Sequence, residues 1–136
     1  MREKIFISYE KYGILINQLV EKIKRSEEYE SIKYIYGVTR GGLPIAVHLS
    51  HYLGVPFLDQ IIFLSKDNFT INSGNILIVD DICDTGRTLE KYKNFKTATL
   101  FYKKRASVIP DFYVEVVEKW QIFPWEIRDE IPNRKE

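Results

Sequence analysis

Val79-Asp80-Asp81-Ile82-Cys83-Asp84-Thr85-Gly86-Arg87-Thr88-Leu89 continues the apolar run Ile76-Leu77-Ile78. Ile76 to Val79, apolar and β-branched in bias, reads as a strand buried on both faces. Downstream, Thr88 to Phe95 can form a helix with Leu89, Tyr92 and Phe95 on one side. A strand that ends in acids, turns through Asp84 to Thr88 and opens a helix is suited to holding an anion. Turn amides and the first free N–H groups of the helix would converge on one spot, where the helix dipole favours negative charge. Gly86 would let a phosphate approach the backbone, and Thr85 and Thr88 would add hydroxyl donors.

Carboxylates at Asp80 and Asp81 would repel such a ligand unless they accept hydroxyls, bind a cation, or both. Phosphoribosyl pyrophosphate (PRPP), with a phosphate, a diol and a magnesium-binding polyphosphate, meets all these demands. A second junction has similar chemistry. Ile32 to Val38 reads as a strand, and Thr39-Arg40-Gly41-Gly42-Leu43-Pro44 follows it. The two glycines free the backbone to bend and present N–H groups. Pro44 suits the first turn of a helix from Leu43 to Leu53, and Gly54 suits its end.

The two segments Thr39–Pro44 and Val79–Leu89 resemble the pyrophosphate loop and the PRPP signature of the type I phosphoribosyltransferases. Phe101-Tyr102-Lys103 and Trp120-Gln121-Ile122-Phe123-Pro124-Trp125-Glu126 are similar to base-binding segments of bacterial xanthine-guanine enzymes. The resemblance implies transfer of ribose 5-phosphate from PRPP to guanine, xanthine or hypoxanthine, with release of pyrophosphate. It implies that Asp80 and Asp81 hold the ribose hydroxyls, with Asp81 meeting Mg2+ directly or through water. Asp84 would be the general base. Thr85, Gly86, Arg87 and Thr88 would hold the 5′-phosphate; Thr39, Arg40 and Gly41 would hold pyrophosphate across a cis peptide between Thr39 and Arg40. Lys103 would donate to the purine oxygen, Trp120 would stack on the ring, and backbone near Gln121 would meet its other edge. The family also has a mobile covering loop, which would fall in Ser65–Asn75 and be short here. A homodimer or homotetramer is expected. The alternative is a regulator that keeps the fold and binds PRPP without catalysis.

Ser8 can cap a helix in which Tyr12, Leu15, Ile16, Leu19, Val20 and Ile23 recur at helical spacing, fading in Lys24 to Ser31. Val55–Leu58, Ile61–Leu64, Thr97–Tyr102 and Phe112–Val117 are further strand candidates, and the aromatic tail from Trp120 reads as irregular. Lys103-Lys104-Arg105 can equally be exposed charge at a strand terminus. His48 and His51 lie three apart, but no third ligand stands near them, so they read as structural. The alternation of strands and helices predicts an α/β fold: a mainly parallel twisted sheet, helices on both faces, and a short C-terminal hood segment.

With 136 residues the chain is long enough for one domain, 1–136, and too short for two. A formal charge of +1 provides no global field for nucleic acid or an acidic membrane. No apolar run approaches the ~20 residues of a membrane span, and Met1 to Lys11 lacks a signal-peptide core. The single cysteine excludes an internal disulfide, so a cytoplasmic setting is expected and the sequon at Asn68 reads as chance.

Overall fold

All named strand pairings are parallel in the computed structural model, which describes residues 3–61 and 73–126. The central sheet runs β3 (Phe57–Leu58), β2 (Tyr34–Gly37), β4 (Ile76–Val79), β6 (Lys96–Ala98). The chain bends at Asp80–Asp81 after β4 and at Thr99–Leu100 after β6. It then pairs again as β5 (Ile82–Cys83) and β7 (Phe101–Tyr102), with β8 (Glu115–Val116) outside them. Hydrogen bonds span the bend: Asp80 N donates to Ala98 O at 3.0 Å, and Leu100 N to Asp81 O at 3.2 Å.

All four side chains of β4 are buried, because both faces of the sheet are covered. Leu77 and Val79 join Ile35 under α1 (Tyr9–Arg25) and α2 (Gly42–Leu53). Ile76 and Ile78 face the other way, against Leu89, Tyr92 and Phe95. Burying side chains of this size contributes about 1.5–3 kcal/mol each, which is what fixes the strand register. The six apolar residues expected on the first helix are the ones α1 buries, and Ser8 Oγ accepts from Lys11 N at 3.0 Å as its cap. Gly54 ends α2 at φ 69°, the left-handed conformation for which glycine is best suited.

Several expectations need correction. The helix after the acidic stretch is α3 (Arg87–Glu90), not Thr88 to Phe95. Beyond one α turn, the Lys91, Tyr92 and Phe95 amides bond three residues back, tightening the chain so that Tyr92 packs near Tyr36, ring centroids 6.4 Å apart. Thr97–Tyr102 is two strands, broken by the bend. Phe112–Val117 breaks opposite that bend: Phe112 bridges to Ala98, and only Glu115–Val116 forms β8. The tail is not wholly irregular, since β9 (Trp120–Ile122) pairs with β1 (Lys4–Phe6) in a separate two-stranded sheet. Val55–Leu58 yields only β3, Ile61 lies in a bend, and Ser73–Asn75 forms a 3-10 turn. The remainder of Ile61–Leu64 and of Ser65–Asn75 lies outside the described residues.

Candidate active site

The two anion loops start from neighbouring strand ends, because Gly37 of β2 is in register with Val79 of β4. Val38 N donates to Val79 O at 2.9 Å, and Gly42 N donates back to Val38 O at 2.8 Å. The Thr39–Arg40 peptide between them is cis, as the resemblance implied. A Cβ on Gly42 would overlap the Val79 carbonyl oxygen, and one on Gly41 would overlap the Asp81 carboxylate. Gly41 therefore lets the Asp81 side chain lie against the 39–42 loop, and Gly42 lets that loop close onto the backbone at the end of β4. Gly42→Ala should lose about 1–3 kcal/mol or more, since the obstacle is backbone that cannot rotate away. Chemical denaturation would check this; wild-type stability would mean that the loop shifts freely.

Asp80 is buried and Asp81 half-buried at the bend. Asp80 Oδ1 accepts from Asp81 N at 2.9 Å and Asp81 Oδ1 from Ile82 N at 2.8 Å, so both carboxyls are fixed by their own backbone. Burial, and then the neighbouring Asp81 charge, push the Asp80 carboxyl well above the usual carboxylate range. Burial also raises Asp81, partly offset by hydrogen bonds with Asp80 and the Ile82 amide. Two acids held this close resist double ionisation and would accept sugar hydroxyls or a dication.

Thr85, Arg87 and Thr88 are exposed around the turn, and Thr85 Oγ1 accepts from Arg87 N at 3.2 Å. Gly86 carries a packing constraint that the sequence did not announce. Its φ is 89°, and a Cβ there would sit 2.6 Å from Ser107 Oγ and 2.7 Å from Ser107 N. Its missing side chain makes room for the 103–108 turn behind the loop, where Ser107 N donates to Thr85 O at 2.8 Å. α3 has four residues, too few for a substantial dipole, so an anion held here would depend on turn amides and threonine hydroxyls.

β5 and β7 pair Cys83 with Tyr102, so the next residue on each, Asp84 and Lys103, meet side by side. Lys103 Nζ lies 3.4 Å from Asp84 Oδ1 and 6.0 Å from the centre of the Trp120 ring. β9 therefore brings Trp120 to the lysine, as expected for a base cleft. Gln121 is half-buried beside it, with its Nε2 donating to Lys119 O at 3.1 Å. The sequence did not single out Arg105 as a partner of Asp84. Its Nε and Nη2 lie 3.0 and 2.6 Å from Asp84 Oδ1. Burial acts to raise the Asp84 carboxyl, but the Arg105 hydrogen bond and the Lys103 and Arg105 charges outweigh it and hold it below the usual range.

Among the described residues no three His, Cys, Asp or Glu side chains cluster as a metal cage. Asp80 and Asp81 alone fit Mg2+ that arrives with substrate, since this ion keeps waters and phosphates and needs only one or two carboxylates. His48 has a structural partner: Tyr12 Oη lies 2.6 Å from its Nδ1. A cavity of about 600 Å³ between α1 and residues 114–115 contains none of these site residues. One of about 440 Å³, lined by Lys104, Val117, Lys119 and Gln121 among others, adjoins the Lys103–Trp120 side.

Residues 8–131 match the family model described as the phosphoribosyl transferase domain. The chain is 30% identical over 112 residues to the xanthine-guanine phosphoribosyltransferase of Desulfotalea psychrophila, covering 69% of this chain and 70% of that one. A purine phosphoribosyltransferase structure from Pyrococcus horikoshii superposes with a TM-score of 0.71 at 33% identity, over 98% of both chains. The Helicobacter pylori xanthine-guanine-hypoxanthine enzyme shares the fold, with a TM-score of 0.72 at 24% identity over 92% of this chain and 95% of that one. No described helix is long and apolar enough to cross a membrane. The signature at Val79–Leu89, the parallel fold and these likenesses agree: the chain belongs to the type I phosphoribosyltransferases, enzymes of pentosyl transfer.

Proposed function

We propose that this enzyme transfers the ribose 5-phosphate of PRPP to a 6-oxopurine. The observation that supports this reading best is the meeting of Asp84, Lys103 and Trp120 beside the PRPP loop. Lys103 donates to the exocyclic oxygen of guanine, xanthine or hypoxanthine, and the Trp120 ring stacks on the base, with the backbone near Gln121 at its other edge. Thr85, Gly86, Arg87 and Thr88 hold the 5′-phosphate, Asp80 and Asp81 the ribose hydroxyls, and Thr39, Arg40 and Gly41 the pyrophosphate. A ring nitrogen of the base gives its electron pair to the sugar carbon. The carbon–oxygen bond to pyrophosphate breaks, and that pair leaves with pyrophosphate. The proton released from the imidazole ring of the base passes to Asp84. Mg2+ bound with PRPP near Asp81 would supply charge neutralisation on the polyphosphate. The sequence 1–136 serves as one catalytic domain in a cytoplasmic enzyme.

The ligand half of this reading is tested by thermal unfolding. PRPP with Mg2+ should raise the melting temperature, by about 2.7 kcal/mol of added stability at a hundredfold excess over Kd. Asp80→Ala combined with Asp81→Ala should still fold, because burial already disfavours both charges, and should lose the shift. A shift of wild-type size in the double variant would refute the assignment.

A further inference from the structure

Lys103 has two duties in the proposed reaction, and its contact with Asp84 already engages it for one of them. Its ammonium lies 3.4 Å from Asp84 Oδ1, yet it must also reach the exocyclic oxygen of the base. A lysine that turned to the base would leave the half-buried Asp84 carboxylate without its partner, unless another cation stayed behind. Arg105 is placed to stay. Both its bonds go to Oδ1, at 3.0 and 2.6 Å, and not one to each oxygen as in a forked arginine–carboxylate pair. Oδ2 is thereby left as the oxygen for an incoming N–H. The turn that carries Arg105 is tied at both ends: Ala106 N donates to Lys103 O at 3.0 Å, and Ser107 N to Thr85 O at 2.8 Å. Lys103 is buried and Arg105 exposed, so the inner cation faces the cleft and the outer one closes over the acid from solvent.

We propose that Arg105 is a positioning residue for base transfer: it holds Asp84 by Oδ1, keeping the acid ionised and aimed while Lys103 moves to the purine. This rests on the purine-transfer reading above. Among the described residues, the charged and titratable groups facing Asp84 are Lys103 and Arg105 from this turn and Cys83 beside it. Burial, then the Asp80 and Asp84 charges, raise the Cys83 thiol to about 11, so it stays neutral in the working range. Removing Arg105 leaves Lys103 as the sole cation on Asp84 among the described residues, which withholds it from the base and favours protonation of the acid at low pH.

The test compares wild type, Arg105→Met and Arg105→Lys in steady-state kinetics with PRPP, Mg2+ and guanine across pH, beside a carbon-NMR titration of the Asp84 carboxyl. Arg105 is exposed, so both variants should fold. Arg105→Met should move the acid limb of kcat/KM for guanine to higher pH and raise KM for the base, and the carboxyl titration should move the same way. Arg105→Lys should restore most of both. If the carboxyl titration moves but the acid limb and base KM do not, the ion pair is structural only and the proposal is overturned. If neither moves, it is overturned as well. A wild type that converts no base at all overturns the functional reading first, and that outcome is distinct from a normal wild type with an insensitive acid limb.

Discussion

Asp84→Asn should slow turnover by about 10²–10⁴-fold, the usual loss on removing a general base, while PRPP still binds. Asparagine keeps the size of the side chain and an oxygen for Arg105 and Lys103, but it cannot take the proton. The pH dependence has a definite sign. Arg105 and Lys103 hold the Asp84 carboxyl below its usual range, so the acid is ionised down to a lower pH than an ordinary carboxylate. Wild-type activity should therefore persist into mildly acidic solution and fail only as the pH falls through that lowered value. Asp84→Asn removes this limb. Near-normal turnover in the variant would mean that Asp84 only anchors the two cations.

Lys103→Met should abolish the preference for 6-oxopurines over adenine. A lysine ammonium donates and cannot accept, so it suits an oxo group and opposes the amino group of adenine. Discrimination by a buried donor can reach about 10⁴-fold, because the wrong base leaves it unpaired. Trp120→Ala should instead weaken all purines alike, by about 1–3 kcal/mol for lost stacking. Ratios of kcat/KM for guanine and adenine separate the two effects. Selectivity unchanged in Lys103→Met would place the lysine in a purely structural pair with Asp84.

What the sequence made legible was local. The periodicity of Tyr12 to Ile23, the four-residue apolar run before Asp80, and the glycine-containing turns after each strand each carry their own signal, and the structure follows them. Elements that depend on distant partners were not legible. β1 and β9 are three residues each and join segments more than a hundred residues apart, so neither has enough alternation to declare itself. α3 stops after one turn because Tyr92 and Phe95 are drawn onto the far face of the sheet, a tertiary demand that overrides helical spacing. The same limit applies at the site. Lys103 meets Asp84 through the register of β5 and β7, and Arg105 through a turn whose shape no local motif announces. Gly86 was read for the ligand alone, and the packing neighbour Ser107, twenty-one residues on, was not foreseen.

Product formation tests the central claim most directly. The protein is incubated with PRPP, Mg2+ and guanine, xanthine, hypoxanthine, adenine or orotate, and nucleotide and pyrophosphate are quantified. Equimolar nucleotide and pyrophosphate from at least one 6-oxopurine, dependent on Mg2+ and favoured over adenine and orotate, is the predicted result. A folded protein whose melting temperature rises with PRPP but which makes no nucleotide from any 6-oxopurine would contradict it, and would point to a PRPP-binding regulator of the same fold.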